Sequence, residues 1–166
     1  MARFTRRQLL QTLAAIPATF AVGAGGLWWR WWDAPHGAEL LVLADDEFEF
    51  LQSIAEAWMP PGGRPAISGS EARVGSVIDG MLSKAPDKER SLLKLLFQAL
   101  DDVTVLSHGS AFRHLDLETR ITILKEWRES SLLRQAVEAL LILIGEAYAT
   151  HPDVRAEWRS LVACGR

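Results

Sequence analysis

At 166 residues, with an apolar share of 49%, the chain has room for one domain and an N-terminal appendage, and it is too hydrophobic for a disordered polymer. Arg3, Arg6, Arg7 and Arg30 are the only charges before Asp33, and all 21 acids lie from Asp33 onward. That acidic remainder holds no Lys/Arg cluster, which excludes nucleic acid as a partner because phosphate contacts need a basic face.

The first element in the chain is the stretch Thr5-Arg6-Arg7-Gln8-Leu9-Leu10. Two adjacent arginines followed by an uncharged run resemble a twin-arginine (Tat) export signal, with Arg6, Arg7, Leu9 and Leu10 as its recognisable residues. No charge occurs from Gln8 to Trp29. A helix over that run is about 33 Å long, enough to cross a hydrocarbon core. The arginines before it favour N-terminus inside and body outside. Thr12, Pro17, Thr19, Gly23, Gly25 and Gly26 dilute its apolar character, and Val22-Gly23-Ala24 offers small residues of the kind a signal peptidase accepts. Both outcomes stay open: a cleaved signal, or a retained anchor. Trp28, Trp29, Trp31 and Trp32 follow. Indoles favour the membrane–water interface, so this cluster would hold the outer end of an uncleaved helix, or form an adhesive N-terminus after cleavage. The resulting division is residues 1–32 as signal or signal-anchor, 33–43 as a linker containing Pro35 and Gly37, and 44–166 as the folded body.

In the body, acids at Asp45, Asp46 and Glu47 suit a helix start. Phe48, Leu51, Ile54, Ala55 and Trp58 continue it at helical spacing, and Pro60-Pro61-Gly62-Gly63 stops it. A loop through Ser70 follows. A second helix is expected from Glu71 to Ser83. A third, from Asp87 to about Ser107, is apolar over so wide an arc that burial on more than one face is expected. Asp116 caps a fourth, which carries Ile121, Leu124 and Trp127. A fifth runs from about Ser131 to Ala149, and a short sixth follows Pro152 and carries Trp158. No stretch alternates with period two between hairpin turns. The expected fold is all-α: a small irregular bundle of five to six helices behind an N-terminal signal or anchor helix.

Candidate chemistry is sparse. The histidines His36, His108, His114 and His151 form no HExxH and have no cysteine beside them. His108 and His114 read as loop residues without a third metal ligand. Neither a GxGxxG nor a P-loop signature occurs. Asp101 and Asp102 are adjacent and so point to different helix faces, which does not make an acid–base pair. Ser107-His108-Gly109-Ser110 lacks the strand–turn–helix setting of a nucleophile elbow and reads as an interhelical loop. No catalytic, cofactor-binding or metal residue is therefore assigned. The single cysteine, Cys164, cannot make an internal disulfide; a bridge to another chain and a free tail thiol both remain open. Trp58, Met59, Pro60, Pro61, Tyr148 and Trp158 are candidates for a partner surface, with core packing as the alternative for each aromatic residue.

Several stretches together resemble the gluconate 2-dehydrogenase subunit 3 family. They are TRRQLL (Thr5–Leu10), EFEFLQSIAEAWMPPGG (Glu47–Gly63), VGSVIDGML (Val74–Leu82), FRHLDLETRITILKEW (Phe112–Trp127) and EAYATHPDV (Glu146–Val154). The resemblance implies a non-catalytic small subunit of a periplasmic dehydrogenase. Its partner would be a large FAD-bearing catalytic subunit of the glucose–methanol–choline (GMC) type, with a cytochrome c subunit as a further partner. The small subunit would engage the Tat translocase, supply the export signal and help the flavoprotein mature. FAD would reside in the partner, with no cofactor in this chain. The family serves varied sugars and alcohols, so the resemblance names no substrate. The contrasting expectation is a membrane-tethered helical module without a redox partner.

Overall fold

The computed structural model describes the backbone of residues 39–164 and the side chains of residues 39–160. The expected N-terminal helix, the Arg6-Arg7 signal and the Trp28–Trp32 cluster lie outside the described residues. Within them are six α-helices and no β-strand: α1 (Asp45–Trp58), α2 (Val74–Leu82), α3 (Asp87–His108), α4 (Leu117–Glu129), α5 (Arg134–Ala149) and α6 (Pro152–Cys164). A 3-10 turn at Phe112–His114 joins α3 to α4. None of the helices among these residues is long and apolar enough to cross a membrane.

Helix α1 is the centre of the bundle. It packs against α2, α3 and α4 and touches α5, while α5 also packs on α2, α4 and α6. Phe50, Leu51, Ile54 and Ala55 of α1 are wholly buried. An aromatic ladder runs out from Phe50. Its ring stands edge-on to Phe112 at 5.8 Å and tilted against Phe97 at 6.4 Å, and Phe112 stacks on Trp127 at 5.1 Å. Each such pair adds about 0.5–1.5 kcal/mol beyond simple burial.

Local chemistry accounts for the helix ends. Glu47 reaches back to accept the Ala44 N–H at 2.9 Å, occupying one donor that the first turn of α1 leaves open. Gly109 ends α3 in the left-handed region (φ 71°), as expected for a glycine C-terminus. Asp116 caps α4, accepting the Thr119 N–H at 3.0 Å and its hydroxyl at 2.6 Å. These bonds hold the Asp116 carboxyl below its ordinary value.

Two helices start later than their composition suggests, and one is less buried. Ser130 Oγ accepts the N–H groups of Leu132 and Leu133 at 3.3 and 3.4 Å, forming a turn that delays α5 to Arg134. Ser68 and Glu71 make a comparable turn before α2, which starts at Val74. The expectation that α3 is buried on several faces does not hold for its last turns. Leu96, Phe97 and Leu100 are in the core, but Val105 is 44% and Leu106 87% exposed. Ser107 and His108 belong to this same helix and not to the loop.

Candidate interaction surface

Polar side chains buried around α1 fix its neighbours. Glu47, 2% exposed, accepts from Gln98 at 2.6 Å and pairs with Lys94 at 3.1 Å, joining α1 to α3. Asp101 accepts the Arg113 backbone N–H at 3.0 Å and pairs with the Arg113 guanidinium, fixing the 3-10 turn to α3. Arg120 of α4 donates to the Ser53 carbonyl at 3.1 Å and to Glu56 at 3.0 Å. Burial raises the carboxyls of Glu47 and Asp101 above their ordinary values; hydrogen bonds and the neighbouring cations Lys94 and Arg113 pull the other way. Each of these side chains has a partner within the bundle, although the buried Nε atoms of Arg113 and Arg120 make no hydrogen bond, and they read as structural.

The groove lined by His108, Glu118, Thr119, Thr122, Ile123 and Glu126 holds about 240 Å³ and is open. His108 Nδ1 lies 2.7 Å from Ser107 Oγ, a contact between neighbours on the exposed end of α3. No group of three or more His, Cys, Asp or Glu side chains among the described residues could hold a metal ion.

A different arrangement lies at the C-terminal end of α1. The segment 59–73 turns back over the bundle and is tied down at Met59 and over 66–73. Gly69 donates to the Met59 carbonyl at 2.9 Å. It sits so close to α1 that a Cβ there would lie 2.2 Å from the Ala55 carbonyl oxygen, so only glycine fits. Ser68 and Glu71 bond reciprocally, through Ser68 N–H to Glu71 at 2.8 Å and Glu71 N–H to Ser68 Oγ at 3.2 Å. The Ser68 N–H and hydroxyl, both donating to it, hold the Glu71 carboxyl below its ordinary value. Gln52 of α1 donates to the Ser70 carbonyl at 3.3 Å and accepts from the Gly75 N–H at 3.1 Å.

The last ties come from α5 and α6. Tyr148, 2% exposed, donates its hydroxyl to the Ile67 carbonyl at 2.6 Å. Burial, then the nearby charges of Glu157 and Glu71, raise its phenol above the ordinary value, which keeps the proton on this donor. Glu157 accepts the Ala66 N–H at 3.2 Å. Tyr148, which the sequence groups with the surface aromatics, thus holds the loop from below.

Two tryptophans remain outside. Trp58 is 36% exposed and lays the far edge of its indole over Gly145, 3.7 Å from where a Cβ would be. Ile142, one turn earlier on α5, is 49% exposed. Met59 and Pro60 are half-buried and Pro61 is exposed. Trp158, next to the loop-holding Glu157, is 43% exposed. Trp58, Met59, Pro60 and Pro61 thus run from the end of α1 into the loop, with Trp58 over α5, and Trp158 follows the loop-holding Glu157 on α6. The backbone of Cys164 closes α6, and its side chain lies outside the described residues.

Sequence reasoning missed Gly69, Gln52, Ile67 and Glu157, which hold this surface. The Ser-x-x-Glu spacing of Ser68 and Glu71 was a usable signal. Nothing local marks the pairing of Tyr148 with Ile67, 81 residues apart.

The family model for gluconate 2-dehydrogenase subunit 3 matches residues 45–161, from the first residue of α1 into α6. No significant match exists among the curated proteins or the solved structures.

Proposed function

Since the chain belongs to the gluconate 2-dehydrogenase subunit 3 family, the accessory subunits of dehydrogenase complexes, we propose that it is the escort subunit of an exported flavoprotein dehydrogenase. In this reading the catalytic partner is a large FAD-bearing subunit of the GMC type, with a cytochrome c subunit as a further member. The Arg6-Arg7 signal takes the folded pair through the Tat translocase to the periplasm, and the Trp28–Trp32 cluster lies at the membrane surface when the N-terminal segment is retained. The observation that carries the reading is the family match over residues 45–161. The charge pattern of residues 1–32 supports export.

The proposed docking face is the pinned loop with Trp58, Met59, Pro60 and Pro61 at one end and Trp158 beside it. Half-exposed tryptophans on a rigid base suit an interface, because large amphipathic rings gain contact area with little entropy to lose. Export is tested by changing Arg6 and Arg7 together to lysine, which keeps charge but removes the planar guanidinium. Loss of the flavoprotein from the periplasm is expected. Undiminished export of the flavoprotein would refute the escort role.

A further inference from the structure

The first described residues make an unusual attachment. Asp79 of α2 is 3% exposed. Its carboxylate accepts three successive backbone N–H groups, from Leu41 at 2.7 Å, Val42 at 3.0 Å and Leu43 at 2.9 Å. Three consecutive amides can meet one carboxylate only if the backbone curls around it, as in an anion-binding nest. Lys94 of α3 donates to the Val42 carbonyl at 2.8 Å and pairs with Glu47 at 3.1 Å. Glu47 of α1 accepts the Ala44 N–H at 2.9 Å. Leu43 is wholly buried, while Leu41 is 64% exposed.

Residues 41–43 are thus gripped by side chains from α2 and α3, and Glu47, which pairs with Lys94, caps the adjoining Ala44 within α1. No single helix can make the grip. Glu47, Asp79 and Lys94 converge only once the three helices have packed, and until then the Asp79 carboxylate keeps its water.

We infer that residues 41–43 are a strap that closes on the assembled α1–α3 core, so that the chain preceding Glu39 is fastened to the body only when that core has packed. Closure moves the attachment point of the preceding chain from the start of α1 back to Leu41, on α2. On the export reading above, the root of the leader would then differ between a packed and an unpacked body. The strap itself rests only on the contacts just described.

The test is hydrogen exchange on the full-length chain, followed by NMR, comparing it with Asp79→Asn. Asparagine keeps the shape but turns one acceptor into a donor that faces the strap amides. The Leu41, Val42 and Leu43 amides are expected to exchange at least about tenfold faster in the variant, as for loss of one charge-assisted hydrogen bond, with α1 and α5 amides unchanged. Unaltered strap protection, or loss of protection in α1 and α5 to the same degree, would overturn the inference. If Asp79→Asn does not fold, the unmodified chain in sub-denaturing guanidinium gives the answer. Strap amides should then open no later than the α1 and α5 amides. Strap amides that stay protected after α1 and α5 have opened would refute the strap.

Discussion

The two ends of α1 are held by different means. At the N-terminal end the ties are ionic and buried: Glu47 with Lys94 and Gln98, and Asp79 with the strap. The aromatic ladder from Phe50 to Trp127 lies next along the helix. At the C-terminal end the ties are a close backbone approach at Gly69 and hydrogen bonds from Gln52, Tyr148 and Glu157. Their result is a fixed loop with indoles left partly in water. The first end satisfies its own groups. The second leaves the Trp58 and Trp158 indoles partly in water, which is why the proposed docking face is placed there.

The comparison can be broken most forcefully at the ladder. Phe112→Ala removes a wholly buried ring that touches both Phe50 and Trp127, and about 3–5 kcal/mol of stability should be lost, measured by denaturant unfolding. At the other end, Gly69→Ala forces a methyl group into the Ala55 carbonyl. About 2–3 kcal/mol should be lost, with exchange accelerating most in segment 59–73. Tyr148→Phe removes only the hydroxyl bound to Ile67 and should cost about 1–2 kcal/mol. That variant sharpens the contrast, because loop amides should respond while the ladder does not. Trp58→Ser should change stability less than any of these, yet weaken capture of the proposed flavoprotein partner by at least about tenfold.

The smallest effect is on pH dependence. Glu47 and Asp101 have raised folded-state values, so the folded chain binds protons more readily than the unfolded one between the ordinary carboxyl range of about 4 and those raised values. In that window stability should rise as pH falls. Glu71 and Asp116 have lowered values. Their stabilisation is complete above the ordinary range and is lost as pH falls through the folded values. Stability should therefore pass through a shallow maximum on the acid side of neutrality, as followed by unfolding midpoints across pH. A steady decline from neutrality downward would contradict this.

Much of the bundle was legible in the sequence because helix signals are local. The acids before Phe48, the Pro60-Pro61 stop and the Asp116 cap each state their element within a few residues. What escaped detection depends on distance. Asp79 reads as an ordinary polar residue on α2 until Leu41, Val42 and Leu43 arrive from 36 to 38 residues away. The described part of segment 33–43, read as a linker from Pro35 and Gly37, carries a buried leucine and the strap. Phe112 beside Arg113 looks like a loop, but the turn is short enough to drive that ring between Phe50 and Trp127. Of the aromatic candidates for the surface, exposure separates Trp58 and Trp158 from Tyr148, a distinction no periodicity carries.

The most direct measurement is gentle purification of tagged protein from the envelope of its native host, with a visible absorption spectrum of whatever accompanies it and a non-reducing gel alongside. Flavin bands together with a second, larger chain are predicted, and a band that shifts on reduction would assign Cys164 to a bridge between them. A colourless preparation containing this chain alone would contradict the escort-subunit account and favour a tethered module without a redox partner.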